Sequence, residues 1–288
     1  MIRKFKIFLC IALTTMLSLT SVHSASAFGS RTHERLSELA FHEVLTDLGL
    51  ARYITRLNPT LLHNCTGPDR DETKGFGGYY EAHFFNVERD LDKRDTALTR
   101  MERHYRWSIE YAQNGDLLDS VRELARALHY LQDICCPVHI WQYSINNMPA
   151  NLALHRRLEG EFDTAWDLKD IMHYVPTGMQ FERRFTGARD LGIYTSQSAV
   201  DRFRPLLKKY ESGGIITCSA INTINPIYWV TLGFMKVLSD GQGIFKYGLE
   251  DIFGLPYLAS YELVKMWAQF VPISTWQKLT PDTTFTES

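Results

Sequence analysis

The sequence predicts an all-α fold, a single compact multi-helix domain, on three observations. Apolar residues recur at spacings of three and four along most of the chain. Gly, Pro and capping residues stand where those stripes stop and start. Strand-type alternation is scarce, and there is no internal repeat, low-complexity linker or compositional break to mark a second domain. Composition agrees. The 288 residues are 45% hydrophobic and 22% charged, the balance of a globular chain rather than a disordered, collagen-like or simple coiled-coil one. With 31 Lys+Arg against 33 Asp+Glu, the chain lacks the broad basic face on which many nucleic-acid binders rely.

The elements follow in order. Arg3, Lys4 and Lys6 give a basic start, residues 7–19 an apolar run too short to span a bilayer, and Ala25-Ser26-Ala27 the small residues of a peptidase site. Residues 1–27 therefore read as a secretory signal, and 28–288 as the mature domain of a secreted or periplasmic protein. The leader holds three basic and no acidic residues, so the mature chain keeps 28 basic against 33 acidic residues, a net charge of −5. Cys10 leaves with it. Cys65, Cys135, Cys136 and Cys218 remain, and three complete pairings are open to them in an oxidising compartment. Adjacent Cys135 and Cys136 are poor partners for each other and also read as buried thiols.

Leu36, Leu39, Ala40, Val44, Leu45 and Leu48 form the first helical stripe, with Gly49 as its stop. Segment 59–95 is rich in Gly, Pro, Asp and Asn and reads as a long loop. A second helix is expected over 96–114, closed by Gly115. Asp116 then caps a third, with Leu117, Val121, Leu124, Ala125, Leu128 and Leu131 as its stripe and Pro137 as its end. A fourth helix is expected over 152–170, a second long loop over 171–196, and weaker helical patterns near 198–211, 219–239 and 258–270. The aromatic residues Phe245, Tyr247, Phe253, Tyr257, Tyr261, Trp267, Phe270 and Trp276 read as the completion of a helical core, in preference to a lipid-facing surface.

Histidine placement carries the chemistry. His129 and Asp133 are four apart near the end of the third helix and share a face. His139 follows Pro137, and His155 and Glu159 repeat the spacing of four on the next helix. One such pair is an ordinary surface pair. Two on successive helices, with His139 between them, offer one region the imidazole and carboxylate ligands that zinc accepts. His33 opens the first helix, and Asp69 and His83 lie in the long loop; each alone is an ordinary helix-end or turn residue. His42, His63, His104 and His173 fit no motif and read as packed or solvated. Cys135 and Cys136 lack a recognisable base and do not read as nucleophiles.

The run His129-Tyr-Leu-Gln-Asp133-Ile-Cys-Cys-Pro137-Val-His139 resembles the signature of the zinc-dependent phospholipases C, the bacterial family of phosphatidylcholine-preferring enzymes and clostridial alpha toxin. His155-x-x-x-Glu159, with Phe162-Asp163 after it, is similar to the family's next motif. Ala82-His83-Phe84 resembles another, Asp69 falls at the matching distance upstream, and Phe28-Gly-Ser-Arg-Thr-His33 resembles the mature start. The likeness covers most of 28–165 and is weak beyond about 170.

The resemblance implies three zinc ions per chain. One would be held by His83, His129 and Asp133, with Asp69 as a further ligand or the adjacent catalytic base. A second would be held by His139, His155 and Glu159. The third would be held by His33, Asp133 and the main-chain amine and carbonyl of Phe28, which makes cleavage after Ala27 a condition for that site. The sequence departs from the family pattern at four positions. Phe28 stands for the usual Trp, although its chelating atoms are backbone. Gln132 stands where Gly is usual, and Cys136 where Gln is common; neither is a ligand position. Arg70 occupies the place of an aromatic that boxes a choline headgroup, which counts against choline preference. Arg70 is read either as a contact for an acidic headgroup or phosphate, or as a solvated loop residue.

The implied activity is that of a secreted zinc metallophosphodiesterase. It would hydrolyse the glycerol-side phosphodiester of phospholipids to diacylglycerol and a phosphorylated headgroup. It would act as a monomer in transient contact with a membrane surface, without a nucleic-acid partner. The zinc-dependent single-strand nucleases share the zinc pattern and the fold, and form the alternative. Glu159 rather than Asp, the short 16-residue step from His139 to His155, the Phe84-Phe85 surroundings and the acidic mature charge favour the lipase. A non-catalytic helical protein with structural zinc is the third reading, and nine ligand positions with open coordination sites count against it.

Overall fold

The structure, a computed structural model, describes residues 29–72, 81–140, 163, 181–211 and 249–279. Among these residues the secondary structure is entirely helical, as the sequence predicts. The helices are α1 (Ser30–Asp47), α2 (Ile54–Cys65), α3 (Ala97–Gln113), α4 (Leu117–Cys135), α5 (Pro137–Ile140), α6 (Ala188–Glu211), α7 (Leu249–Phe270) and α8 (Ile273–Lys278). None of them is long and apolar enough to cross a membrane.

α4 organises the molecule, packing against α1, α2, α3, α5, α6 and α7. Its start is set by Asp116, whose carboxylate accepts from the Asp119 N–H at 3.2 Å. The apolar stripe faces inward along its first half. From Ala127 to Cys136 every residue is buried, so neighbours surround the last turns on all sides. That is where His129 and Asp133 lie. α3 enters through a reciprocal capping box between Thr96 and Thr99. It leaves through Gly115, whose φ of +86° is left-handed backbone that suits glycine. The three-residue turn then lays α3 antiparallel on α4. One continuous apolar cluster runs from Leu36 to Leu279.

Two predicted loops prove partly helical. Segment 59–95 contains most of α2, a π-type turn over Pro68–Glu72 and a 3-10 turn over Glu81–His83. Pro59 lies inside α2, where it removes one ladder hydrogen bond but leaves Leu57, Leu61 and Cys65 to pack inward. Its presence and the neighbouring Asn and Thr residues mask the stripe. Likewise α6 begins at Ala188, inside the predicted loop 171–196. Gly192 resembles a loop former, yet a Cβ there would stand 2.5 Å from Leu98 and 2.8 Å from Met101. The glycine serves the close approach of α6 to α3. α7 likewise starts earlier than the 258–270 pattern indicates. Pro137 follows the end of α4, as expected, and opens the short helix α5. The helices expected over 152–170 and 219–239 fall outside the described residues, Asp163 excepted, as do residues 1–28 with the leader and Phe28.

Cys65 and Cys135 are buried free thiols, and Cys136 is buried. Burial pushes the Cys65 and Cys135 thiols far above the ordinary range, which disfavours the reactive thiolate. Cys218 lies outside the described residues. Tyr257, Tyr261, Trp267 and Trp276 are core residues, as predicted, whereas Phe270 is half exposed. Phe245, Tyr247 and the side chain of Phe253 lie outside the described residues.

Candidate metal centre

Six predicted ligands converge on the C-terminal half of α4: His33 from α1, Asp69 from the π-type turn after α2, His83 from the 3-10 turn, His129 and Asp133 from α4, and His139 from α5. None is more than 3% exposed. Helical geometry brings His129 and Asp133 together, with Nε2 3.4 Å from Oδ2. Tertiary packing supplies the rest. His33 Nε2 lies 3.4 Å from Asp133 Oδ1. His83 Nδ1 bonds Asp133 Oδ2 at 2.8 Å and lies 4.0 Å from Asp69 Oδ1. His129 Nε2 is 3.6 Å from Asp69 Oδ1 and 3.3 Å from His83 Nδ1. His139 Nδ1 stands 3.9 Å from Asp133 Oδ2.

Two groups of three have potential ligand atoms all within 4.8 Å of one another: His33, His129 and Asp133, and Asp69, His83 and His129. The sequence reading has Asp133 shared between two ions, whereas in these groups the shared residue is His129. His155, Glu159 and Phe28 lie outside the described residues. Asp163, four positions beyond Glu159, accepts from the Thr32 N–H at 2.9 Å and the Thr32 hydroxyl at 2.8 Å. That carboxylate secures the first turn of α1 beside His33.

Outer contacts aim the rings. His129 Nδ1 meets the Cys65 carbonyl at 2.8 Å, and His139 Nδ1 meets the His83 carbonyl at 2.6 Å. A carbonyl only accepts, so Nδ1 carries the proton in both rings and Nε2 keeps its lone pair. Asn86 Nδ2 donates to the Ile140 carbonyl at 2.9 Å, tying the His83 segment to the helix that bears His139. Sequence reasoning missed Asn86, a polar loop residue without a motif. Arg70, by contrast, folds back onto its own helix end, donating to the Thr66 hydroxyl at 2.8 Å and the His63 carbonyl at 2.7 Å. Of the histidines outside the motifs, His63 is exposed. His104 is buried in a 2.7 Å contact with Glu123, and His42 is half-buried. His173 lies outside the described residues.

The electrostatics are those of a buried anionic cluster. Burial opposes charge on Asp133, but the surrounding imidazoles, His129 and His139 first and then His33 and His83, hold its carboxyl well below the usual range. Burial also opposes charge on His33 and His83, yet Asp133 and Asp69 outweigh it and raise both. His129 is driven well below its ordinary value by burial and then by the charge of His33. His139 falls to about 4, chiefly through burial. Two buried carboxylates thus draw in positive charge, which protons or a divalent cation can supply.

The donors fit zinc. Two ligand atoms about 2.1 Å from a tetrahedral ion lie roughly 3.4 Å apart. The His33–Asp133, His129–Asp133, His129–Asp69 and His129–His83 separations run from 3.3 to 3.6 Å. Asp133 Oδ1 and His83 Nε2 are buried and make no hydrogen bond among the described residues, a costly state for polar atoms unless they meet a cation or water.

No protein-family model and no curated protein sequence matches the chain. Solved structures do. The crystal structure of Clostridium perfringens alpha-toxin from an avian strain aligns with a TM-score of 0.52 at 16% identity, covering 85% of this chain and 65% of that one. The Clostridium absonum alpha toxin aligns at 0.49 and 12% identity, with 87% and 66% covered. The chain shares the fold of the part of the perfringens toxin with which it aligns, and spans about 65% of that protein's length.

Proposed function

We propose that the chain is a secreted zinc-dependent phosphodiesterase of the phospholipase C type. It releases diacylglycerol and a phosphorylated headgroup from a phospholipid at a membrane surface. The observation that carries this reading is the convergence of three imidazoles (His33, His83 and His129) and two carboxylates (Asp69 and Asp133), buried and in two groups whose ligand atoms lie within 4.8 Å of one another, on one end of α4. The alpha-toxin-like fold and the sequence motifs support the same reading.

His33, His83, His129 and Asp133, completed by His139, His155, Glu159 and the Phe28 main chain, would hold three ions. Bound there, zinc supplies Lewis acidity toward a phosphoryl oxygen and lowers the pKa of water to about 7. The chain's own residues set the geometry. Asp133 gives two oxygens to opposite sides of the cluster, with His33 beside Oδ1 and His83 and His129 beside Oδ2. Asp69, carried on the π-type turn, is the carboxylate we assign to the proton of the attacking water, in addition to ligation. The positive field at the phosphate would come from bound metal, which suits a mature chain without a basic face.

The test is a panel on protein beginning at Phe28. It sets phospholipids of several headgroups against single-stranded DNA and RNA, with and without chelator, alongside metal analysis. Chelator-sensitive release of diacylglycerol is expected, with three zinc ions per chain. Nucleic-acid cleavage without lipid turnover would hand the site to the nuclease reading. Fewer than two zinc ions would sink the cluster.

A further inference from the structure

Three imidazoles of the cluster differ in what holds Nδ1. His129 and His139 use main-chain carbonyls, which cannot reverse their polarity. His33 uses a side chain, Gln132 Oε1, at 2.7 Å. A carboxamide can present either its oxygen or its nitrogen, so something else must choose. Gln132 Nε2 lies 3.0 Å from Ser37 Oγ and 3.1 Å from Ser260 Oγ. Ser260 Oγ in turn lies 2.7 Å from the Pro256 carbonyl. That carbonyl can only accept, so the Ser260 hydroxyl proton is committed to it, and the serine oxygen can then only accept from Gln132. The amide nitrogen therefore faces α7 and the amide oxygen faces His33. Nδ1 of His33 therefore bears a proton, and in the neutral ring Nε2 keeps its lone pair beside Asp133.

From this geometry we infer that Gln132 is a positioning residue for the His33 metal site. Ser260 on α7 sets its polarity, through a one-directional chain running from His33 to Gln132 to Ser260 to the Pro256 carbonyl. Gln132, Ser37 and Ser260 are fully buried, so water does not replace a lost member cheaply. The chain also links the site to α7, in the part of the sequence where the family likeness is weak. The inference rests on the zinc reading and deepens it, assigning a role to a side chain that is not itself a ligand.

The test uses the full mature chain and zinc alone as the probe. Zinc affinity and stoichiometry are measured by competition with a chromophoric chelator for wild type, Gln132→Met, Gln132→Glu and Ser260→Ala. Proton-detected nitrogen spectra of the labelled histidines are recorded on zinc-free wild type at alkaline pH. Gln132→Met keeps the volume and removes the acceptor. It should weaken one ion by about 10- to 100-fold and leave the others bound. Gln132→Glu restores an acceptor for Nδ1 and should recover most of that affinity. Ser260→Ala should show a smaller loss at the same ion. The wild-type spectrum should show His33 protonated at Nδ1, a signature that a merely space-filling glutamine would not impose. Wild-type zinc uptake with an unchanged Gln132→Met, or His33 protonated at Nε2, overturns the role of Gln132. A wild type that takes up no zinc at all sinks the metal reading itself, and the role of Gln132 with it. Should Gln132→Met fail to fold, the spectrum and the Gln132→Glu and Ser260→Ala affinities still decide.

Discussion

At the scale of single residues, the site depends on groups that cannot be moved independently. Asp133 contacts His33, His83 and His129 at once. Asp133→Asn keeps the shape but removes the charge, and should drop turnover below detection together with loss of bound zinc. His129→Ala should do the same. An active, zinc-replete Asp133→Asn protein would contradict the site. Gly29 shows a steric constraint of another kind. Its backbone is unremarkable, but a Cβ there would stand 2.0 Å from the Asp163 carboxylate that caps Thr32. Gly29→Ala should push that carboxylate away and cost about 1 kcal/mol, the worth of a helix N-cap, read as a lower urea midpoint with an unchanged slope.

At the scale of elements, helix ends were more legible than helix starts hidden behind Pro or Gly. Asp116 and Gly115 marked the α3–α4 turn because capping chemistry and left-handed backbone are local properties. Thr96 belongs to the same class. Thr96→Ala removes one half of a capping box and should cost about 1 kcal/mol, measurable by chemical denaturation. α2 and the start of α6 escaped the sequence reading because Pro59 and Gly192 are locally unfavourable in a helix, and Gly192 is accepted for the close approach of α6 to α3. The same applies to Gln132. Its position among the motif residues was visible, but a glutamine at a non-ligand position carries no signal until α1 and α7 are seen beside it.

At the scale of the molecule, α7 fastens the fold around the site. Tyr257 bonds Glu43, and Tyr261 bonds Asp47 at 2.7 Å, both on α1. Trp267 Nε1 donates to Ser120 Oγ at 2.8 Å, which itself donates to the Ser108 carbonyl on α3. Zinc that binds only this folded arrangement stabilises it by mass action, about 2.7 kcal/mol at a free concentration one hundred times Kd. Chelation should therefore lower Tm, and zinc should restore it; an indifferent Tm would count against buried ligation. Acid stability has a contributor outside the site. Burial opposes charge on Glu123, but hydrogen bonds from His104 and Arg122 outweigh it and hold the carboxyl below its ordinary value. A depressed folded value means that this stabilisation is full above the ordinary glutamate range and is lost as pH falls through the folded one. The stability gap between wild type and Glu123→Gln should thus narrow from pH 7 toward pH 3 in urea titrations.

The sequence by itself determined the all-helical class, the amphipathic stripes, the α3–α4 turn and the identity of the candidate ligands. The class, the stripes and the turn follow from spacing and local chemistry within a few residues, whereas the ligand set, with His33, Asp69 and His83, is what the family resemblance implies. Only the tertiary structure decided which ligands meet, that the last turns of α4 are enclosed on every side, and which way the Gln132 amide faces. Those features join residues such as His33 and Asp133, or Gln132 and Ser260, about a hundred or more positions apart. Packing holds them together there, and no local pattern encodes their separation.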